Sequence, residues 1–365
     1  MTIGIGGAGS KVAAKLDTAA TVVNVSQTEL SKIQDAGKRV LASVHSVRGQ
    51  FRGSRKNPQI GHDAYLSVRR ELLEDIRGDI VFSSTGGGTG NGITSGVLRD
   101  LAAAEDIAAS EKTSFALVLP YAALEPAEFV RNTIDFLSGP LSDAIDSGNT
   151  GNIILFSNRL KFESRLSEDA FNGMLVNSLE VFLAVPAKND TLKLLDGHID
   201  HEDFALYMSR PYFNHFTYFD YASGTSFEEQ LTGNSNPLLL APEAPIEALF
   251  LLEVPEGGDP TIFYNILEFF AEHNVSPVYS VVENPALETP FVTVSLLYSR
   301  KPAELLDDFN RINEKHAQVK LAKSLEQHVA LPRLEVNMEV EAKRAAKERG
   351  TGEDVLTVLK RLGKL

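Results

Sequence analysis

Apolar and polar positions alternate along this chain in two rhythms. Short apolar runs stand at residues 1–5, 21–25, 80–84, 114–120 and 153–156, with the length and composition of buried strands. Between them, residues 11–16, 64–76, the stretch after Gly92 and residues 128–137 repeat their apolar positions at helical spacing. Strands and helices in alternation predict an α/β domain with a mostly parallel sheet. Residues 53–61 are polar and basic around Pro58 and read as a loop. Ser167 is placed to cap a helix running to Phe182. Residues 224–237 are polar and read as a second loop. A further unit opens near Ile246. Its strands at 249–254, 278–282 and 291–298, with helices at 261–272 and from Ala303, read as a smaller α+β domain.

Two strand-to-helix junctions are rich in glycine. The second, Gly86-Gly87-Gly88-Thr89-Gly90-Asn91-Gly92, holds five glycines in seven residues. Glycine lets backbone N–H groups approach an anion, and the N-terminus of the following helix adds partial positive charge. Thr89 can donate a hydroxyl hydrogen bond to the same anion. The first junction, Gly4-Ile5-Gly6-Gly7-Ala8-Gly9-Ser10, also satisfies the dinucleotide fingerprint GxGxxG. That reading wants an acid at the end of the second strand, where the chain reads Val25-Ser26-Gln27-Thr28 and offers no acid before Glu29. A P-loop needs Gly-Lys-Ser/Thr, and Gly9-Ser10-Lys11 has the wrong order. A Rossmann-type oxidoreductase and a non-catalytic nucleotide scaffold stay open as alternatives. No His, Tyr or Lys constellation for hydride transfer stands out.

The run from Gly86 resembles the GGGTGxG motif of the tubulin/FtsZ superfamily of GTPases, and most of residues 1–330 carry further features in that family's order. The resemblance implies a Rossmann-like GTPase domain at 1–165, a central helix with a catalytic loop at 166–203, a smaller α+β domain at 204–330 and a C-terminal helix or tail at 331–365. It implies that Gly6, Gly7, Gly9 and Ser10 form one phosphate loop. Gly86, Gly87, Gly88, Thr89, Gly90, Asn91 and Gly92 would form the other. Ser26 and Thr28 would face the nucleotide, and residues 53–58 would sense the γ-phosphate. Glu125, with Glu128 and Arg131, resembles the ribose-contacting loop. Asn158 would touch the nucleoside, and Asn177 would read guanine, with Asn172 as its competitor earlier on the same helix. Asp200-His201-Glu202-Asp203 matches the Asp-x-x-Asp loop inserted into the neighbouring subunit's site. There Asp200 and Asp203 would polarise the attacking water, or Glu202 in a shifted register. The implied ligands are GTP and GDP with Mg²⁺ held by phosphate and water, so no protein metal ligand is named. The implied partner is a second copy, head to tail in a filament for DNA segregation or phage or cell positioning. The chain looks most like the divergent plasmid and phage tubulins of the TubZ and PhuZ kind. Pro186 departs from the family pattern, because an interior proline should kink or split the central helix.

Composition narrows this little. A formal net charge of −14 argues against a nucleic-acid-binding main body. The absence of cysteine excludes disulfides and thiolate zinc sites. No apolar stretch is long enough to span a membrane, and the chain enters its first glycine turn at once, so a cytoplasmic protein is expected. From Glu341 the tail has a basic excess and is expected to serve as an arm for an adaptor or a neighbour. A helical path from Asn177 to Asp200 would cover roughly 30 Å, which predicts that the acids cannot reach their own subunit's nucleotide.

Overall fold

The structure is a computed structural model that describes residues 2–46, 49–50, 52–233, 245–299 and 303–326, together with Lys360. Strand β1 (Thr2–Ile5) runs directly into α1 (Gly6–Leu16), and β2 (Thr21–Asn24), α2 (Gln27–Leu30) and β3 (Lys38–Leu41) follow. A small ribbon, β4 (His45–Ser46) and β5 (Gly49–Gln50), leads to α3 (Pro58–Asp75) and β6 (Ile80–Ser84). Next come α4 (Thr89–Ala103), β7 (Thr113–Leu119), α5 (Ala127–Ser138), α6 (Pro140–Asp146) and β8 (Thr150–Ser157). The middle of the chain is α7 (Asn158–Glu163), α8 (Glu168–Leu183), α9 (Val185–Thr191), β9 (Lys193–Gly197) and α10 (His201–Met208). The rest is β10 (Phe213–Asp220), α11 (Phe227–Gly233), β11 (Glu247–Val254), α12 (Ile262–Glu272), β12 (Val278–Glu283), β13 (Phe291–Tyr298) and α13 (Ala303–Glu326). Contacts divide the chain into Met1–Ala317 and Gln318–Leu365, and the whole sheet lies in the first unit. The tail from Glu341 lies outside the described residues apart from Lys360.

Eleven strands form one sheet in the order β3-β2-β1-β6-β7-β8-β10-β13-β11-β12-β9. The first six are parallel and reverse direction of travel at the β1/β6 boundary. That boundary is the switch point where open α/β sheets bind ligands, beyond the strands' carboxyl ends. Side chains alternate between two cores. Ile153 and Leu155 face one with α3, α4 and α12, while Ile154 and Phe156 face the other with α1, α8 and α10.

β8 and β10 share one registered pair, Ile153 with Phe213. Buried side chains replace the missing ladder. Asn152 donates to the carbonyls of Tyr207 and Arg210 at 3.0 and 2.9 Å, and Asn214 donates to Asn152 Oδ1 at 2.6 Å. Ser295 donates to Asn214 Oδ1 at 2.8 Å and lies 3.0 Å from the Tyr207 hydroxyl of α10.

Several local expectations change. Helix α3 starts at Pro58, inside the expected loop, because Asn57 Oδ1 caps the Gln59 N–H and proline suits the first helical turn. The expected loop at 224–237 holds α11, capped by Ser226 Oγ on the Glu229 N–H, with Phe227 and Leu231 buried one turn apart. Ser167 caps α8 as expected. The central helix is split, with Pro186 in the first turn of α9 and α9 bent 48° from α8. Lys188 then ties α9 to the buried Glu253 carboxylate at 2.5 Å. Strand β9 was not expected. It joins the sheet's far edge by pairing with β12. No single described helix is long and apolar enough to cross a membrane.

Candidate functional site

The two glycine turns meet at the carboxyl ends of β1 and β6. Gly6 has φ +74°, and a Cβ there would lie 2.8 Å from the Gly90 nitrogen. Both turns open helices without a side-chain cap: α1 begins at Gly6 and α4 at Thr89. The first N–H groups of each helix therefore lack intrahelical and side-chain partners, and two positive helix ends converge on one place. An anion satisfies both.

Within each turn the glycines divide by what surrounds them. A Cβ on Gly9 would sit 2.1 Å from the Phe82 carbonyl oxygen, and one on Gly4 would sit 2.5 Å from Ser10 Cα. In the second turn, a Cβ on Gly86 would meet Phe129 Cβ at 2.9 Å and one on Gly90 the Ser83 hydroxyl at 2.9 Å. A Cβ on Gly88 would meet the Ser54 hydroxyl at 2.5 Å and the Asn57 nitrogen at 2.6 Å. One on Gly92 would lie 2.0 Å from the Pro58 carbonyl oxygen. These positions are glycine because protein backbone or packed side chains press on them. Gly7 and Gly87 differ. Gly7 is approached only by the Glu29 carboxylate at 3.1 Å, and Gly87 only by Ser84 Oγ at 3.5 Å. The density of glycine in the second turn is thus explained in part by close packing of α3 on α4, and only in part by room for a ligand.

Other expected residues sort in the same way. Thr89 is half-buried at the first position of α4. Asn91 is buried, its amide nitrogen bonded to the carbonyls of Thr85 and Asn132 at 2.5 and 2.9 Å, so its side chain belongs to the loop's framework. Ser10 is likewise turned back, donating to the Gly4 carbonyl at 3.2 Å. Ser26 caps α2 by accepting from the Glu29 N–H at 3.3 Å. Glu125 and Asn158 come together at the ends of β7 and β8. Glu125 Oε2 accepts from the Tyr121 N–H at 2.6 Å and from Asn158 Nδ2 at 3.0 Å. Arg131 lies away from that pair, in a cavity among α3, α4, α5 and α6.

The expected γ-phosphate loop is latched to the second glycine turn. Asn132 Nδ2 donates to the Lys56 carbonyl at 3.0 Å and to the Gly86 carbonyl at 2.9 Å. Arg55 and Lys56 both hold positive φ, 51° and 60°. Consecutive non-glycine residues in that region cost on the order of 1–2 kcal/mol each, and the latch helps to hold them.

A cavity of about 480 Å³ runs along α1 from one turn beyond Gly7, lined by Lys11, Ala14, Lys15, Gln34 and Asn172 among others. Its size suits a small organic ligand. Lys11 and Glu168 at 2.7 Å, and Lys15 and Asp169 at 2.5 Å, bridge α1 to α8 at its wall. The asparagine on this wall is Asn172. Asn177, expected to read the base, is exposed and donates to the Tyr218 hydroxyl at 2.9 Å. Five residues turn a helix through about 500°, which leaves the two side chains roughly 140° apart, so both cannot face α1. Glu29 was not among the expected site residues. Its carboxylate, held by Asn24 Nδ2 at 2.7 Å, borders Gly7.

Asp200 and Asp203 lie at the other end of the sheet. Asp200 caps α10 by accepting from the Asp203 N–H at 2.7 Å. The ligand atoms of His198, Asp200 and Asp203 fall within 4.8 Å of one another. Helix α10 packs beside Gly78, Ile80, Ser110 and Ser114, the amino ends of β6 and β7. Strands of five and seven residues at about 3.3 Å each separate it from the glycine turns by roughly 15–25 Å.

Neither a protein-family model nor a curated protein matches this chain. Solved structures do. A GTPγS-form protofilament of Bacillus thuringiensis serovar israelensis TubZ superposes with a TM-score of 0.70 at 14% identity, covering 90% of this chain and 94% of the other. CetZ2 from Haloferax volcanii, a GTPγS-bound protofilament, gives 0.63 at 16% identity over 87% and 98% of the two chains. An empty FtsZ dimer from M. jannaschii gives 0.58 at 18% identity over 81% and 87%. With the sheet order and the two opposed glycine turns, these matches identify the architecture: the chain has the tubulin/FtsZ superfamily fold.

Proposed function

We propose that this protein is a cytoskeletal GTPase that binds GTP and GDP between its glycine turns and polymerises head to tail. The observation that carries this reading is the separation of two half-sites. Two uncapped helix N-termini and an open glycine cradle sit at one end of the parallel sheet. The acidic helix start sits at the other. Stacking one copy on the next would set Asp200 and Asp203 of one subunit over the phosphates held by its neighbour. Such a heterologous contact propagates into a filament. Protofilament structures of TubZ and CetZ2, which share the fold, support this arrangement.

In this reading the backbone N–H groups of residues 6–10 and 86–90 hold the phosphates, with Thr89 donating its hydroxyl. Asn158 and Glu125 stand at the ribose, and Asn172 replaces Asn177 as the base contact. The incoming carboxylates orient and polarise a water for attack on the γ-phosphate, a reaction governed by placement and electrostatics. Mg²⁺ accompanying the triphosphate would offset its negative charge, and no side chain of this chain is assigned to hold it. Gly87, where a Cβ would make only ordinary contact with Ser84 Oγ at 3.5 Å, leaves its backbone accessible to a phosphate.

The test is GTP turnover per molecule against protein concentration. A site completed in trans gives a threshold below which turnover is nearly absent. Asp200→Ala and Asp203→Ala should bind GTP normally, hydrolyse it at least about 100-fold more slowly, and give filaments that persist. Constant turnover per molecule down to monomeric dilution would exclude the mechanism.

A further inference from the structure

A second cavity, of about 280 Å³, lies behind the second glycine turn among α3, α4, α5 and α6. Arg99 of α4 and Arg131 of α5 both line it, with His62, Ser95, Asn91 and Asn132. Among the described residues neither guanidinium has an ion-pair partner. The single acid on its wall is Asp135, so the lining is cationic. His62 Nδ1 is buried there without a hydrogen-bond partner, an unusual state for a buried polar atom. Asn91 and Asn132 are the same amides that hold Thr85, Gly86 and Lys56 in place, so the cavity shares a wall with the phosphate loop.

We propose that this cavity is a binding site for a small tetrahedral oxyanion, inorganic phosphate. Two guanidiniums offer forked donors of the kind that grip phosphate oxygens. Ser95 and the unpartnered His62 nitrogen supply further contacts. The volume leaves room for several waters, each filling about 30 Å³ of liquid. An occupant would press on the Asn91–Asn132 pair and through it on the loop that carries Gly86 and Lys56. If the GTPase reading holds, the phosphate released by hydrolysis is the natural source, and the site would retain or guide it. Binding itself does not depend on that reading.

Calorimetric titration of inorganic phosphate into the full chain tests this, in chloride buffer, with and without saturating GDP. Saturable binding is expected in both conditions. The double variant Arg99→Gln/Arg131→Gln should weaken it by about 10-fold or more. Both residues are exposed, so folding is expected to survive, and the single variants serve as a check. Gly87→Val should leave this binding intact. Three results overturn the proposal: no saturable binding to the wild type, undiminished binding to the double variant, or loss in Gly87→Val alone, which would assign the phosphate to the glycine cradle. If the double variant impairs sedimentable assembly while the wild type takes up no phosphate, the cavity instead receives a carboxylate from another copy, and the proposal fails. GTP binding and turnover are measured separately, so failure of either reading is seen independently of the other.

Discussion

The two glycine turns look alike in sequence and differ in structure. In the first, Gly4 lets α1 turn back close over β1, Gly9 lets α1 pack against β6, and Gly6 supplies a left-handed residue where the turns touch. In the second, Gly88 and Gly92 admit the neighbouring loop and α3, and on the α3 side a Cβ on Gly61 would lie 2.3 Å from the Gly88 carbonyl oxygen. Gly7 and Gly87 are pressed on by no backbone: a Cβ on Gly7 would meet the Glu29 carboxylate at 3.1 Å, and one on Gly87 the Ser84 hydroxyl at 3.5 Å. A glycine motif is therefore a composite of packing requirements and ligand room. The difference shows only when a Cβ is placed at each position and its neighbours are named.

Substitution should separate the two classes. The largest effect is expected at Gly9 and Gly92, where alanine would overlap a backbone oxygen. Each should lose about 3 kcal/mol or more, seen as loss of soluble protein or a steep fall in Tm. A normal melt for either alanine variant would contradict the packing account. Gly87→Val should come next, leaving the melt nearly unchanged while guanine-nucleotide affinity falls about 100-fold. Unaltered GTP affinity in the folded variant would remove Gly87 from the cradle. Gly88→Val is the poorer probe, since its side chain would collide with Ser54 and Asn57 whether or not phosphate is bound.

Much of this was legible in the sequence, for local reasons. Strand, glycine turn and helix follow one another within a dozen residues, and the aspartates of α10 stand at fixed spacing. What was hidden depends on distant partners. Strand β9 has adjacent leucines in place of clean alternation, and it is fixed by β12 some eighty residues later. The sequence left Asn172 and Asn177 as competitors because helical periodicity gives relative phase only, and where α1 lies decides which of them lines the cavity. Asn172→Ala should accordingly reduce discrimination of GTP over ATP by about 10-fold, or 1–2 kcal/mol, while Asn177→Ala changes little. The reverse outcome in competition binding would restore Asn177.

The smallest effect concerns the far end of the α3–α4 seam that carries the second turn. Burial raises the Asp100 carboxyl, but hydrogen bonds from Arg69 and Tyr65 outweigh it and hold Asp100 below the usual carboxylate range. Arg69 engages both carboxylate oxygens at 2.7 Å. Since the folded value is depressed, this contribution is complete above the unfolded value near 4 and is lost as pH falls through the folded one. Asp100→Asn should cost about 1 kcal/mol at neutral pH and flatten the acid side of a urea-midpoint profile below about pH 4. A variant profile parallel to the wild type would show that the seam draws its stability from its glycines alone.

The polar stitch between β8 and β10 has a mechanical meaning. Where a sheet is held by a continuous ladder it bends as a plate, but here the backbone ladder narrows to one registered pair. Four side chains bridge the gap instead, and one of them, Tyr207, belongs to the helix that begins at the acids. The parallel half of the sheet and the half from β10 onward are therefore joined along this line by side chains as much as by backbone. Any relative movement of the two halves would strain these bonds and so would be felt at α10, whose Tyr207 takes part in them.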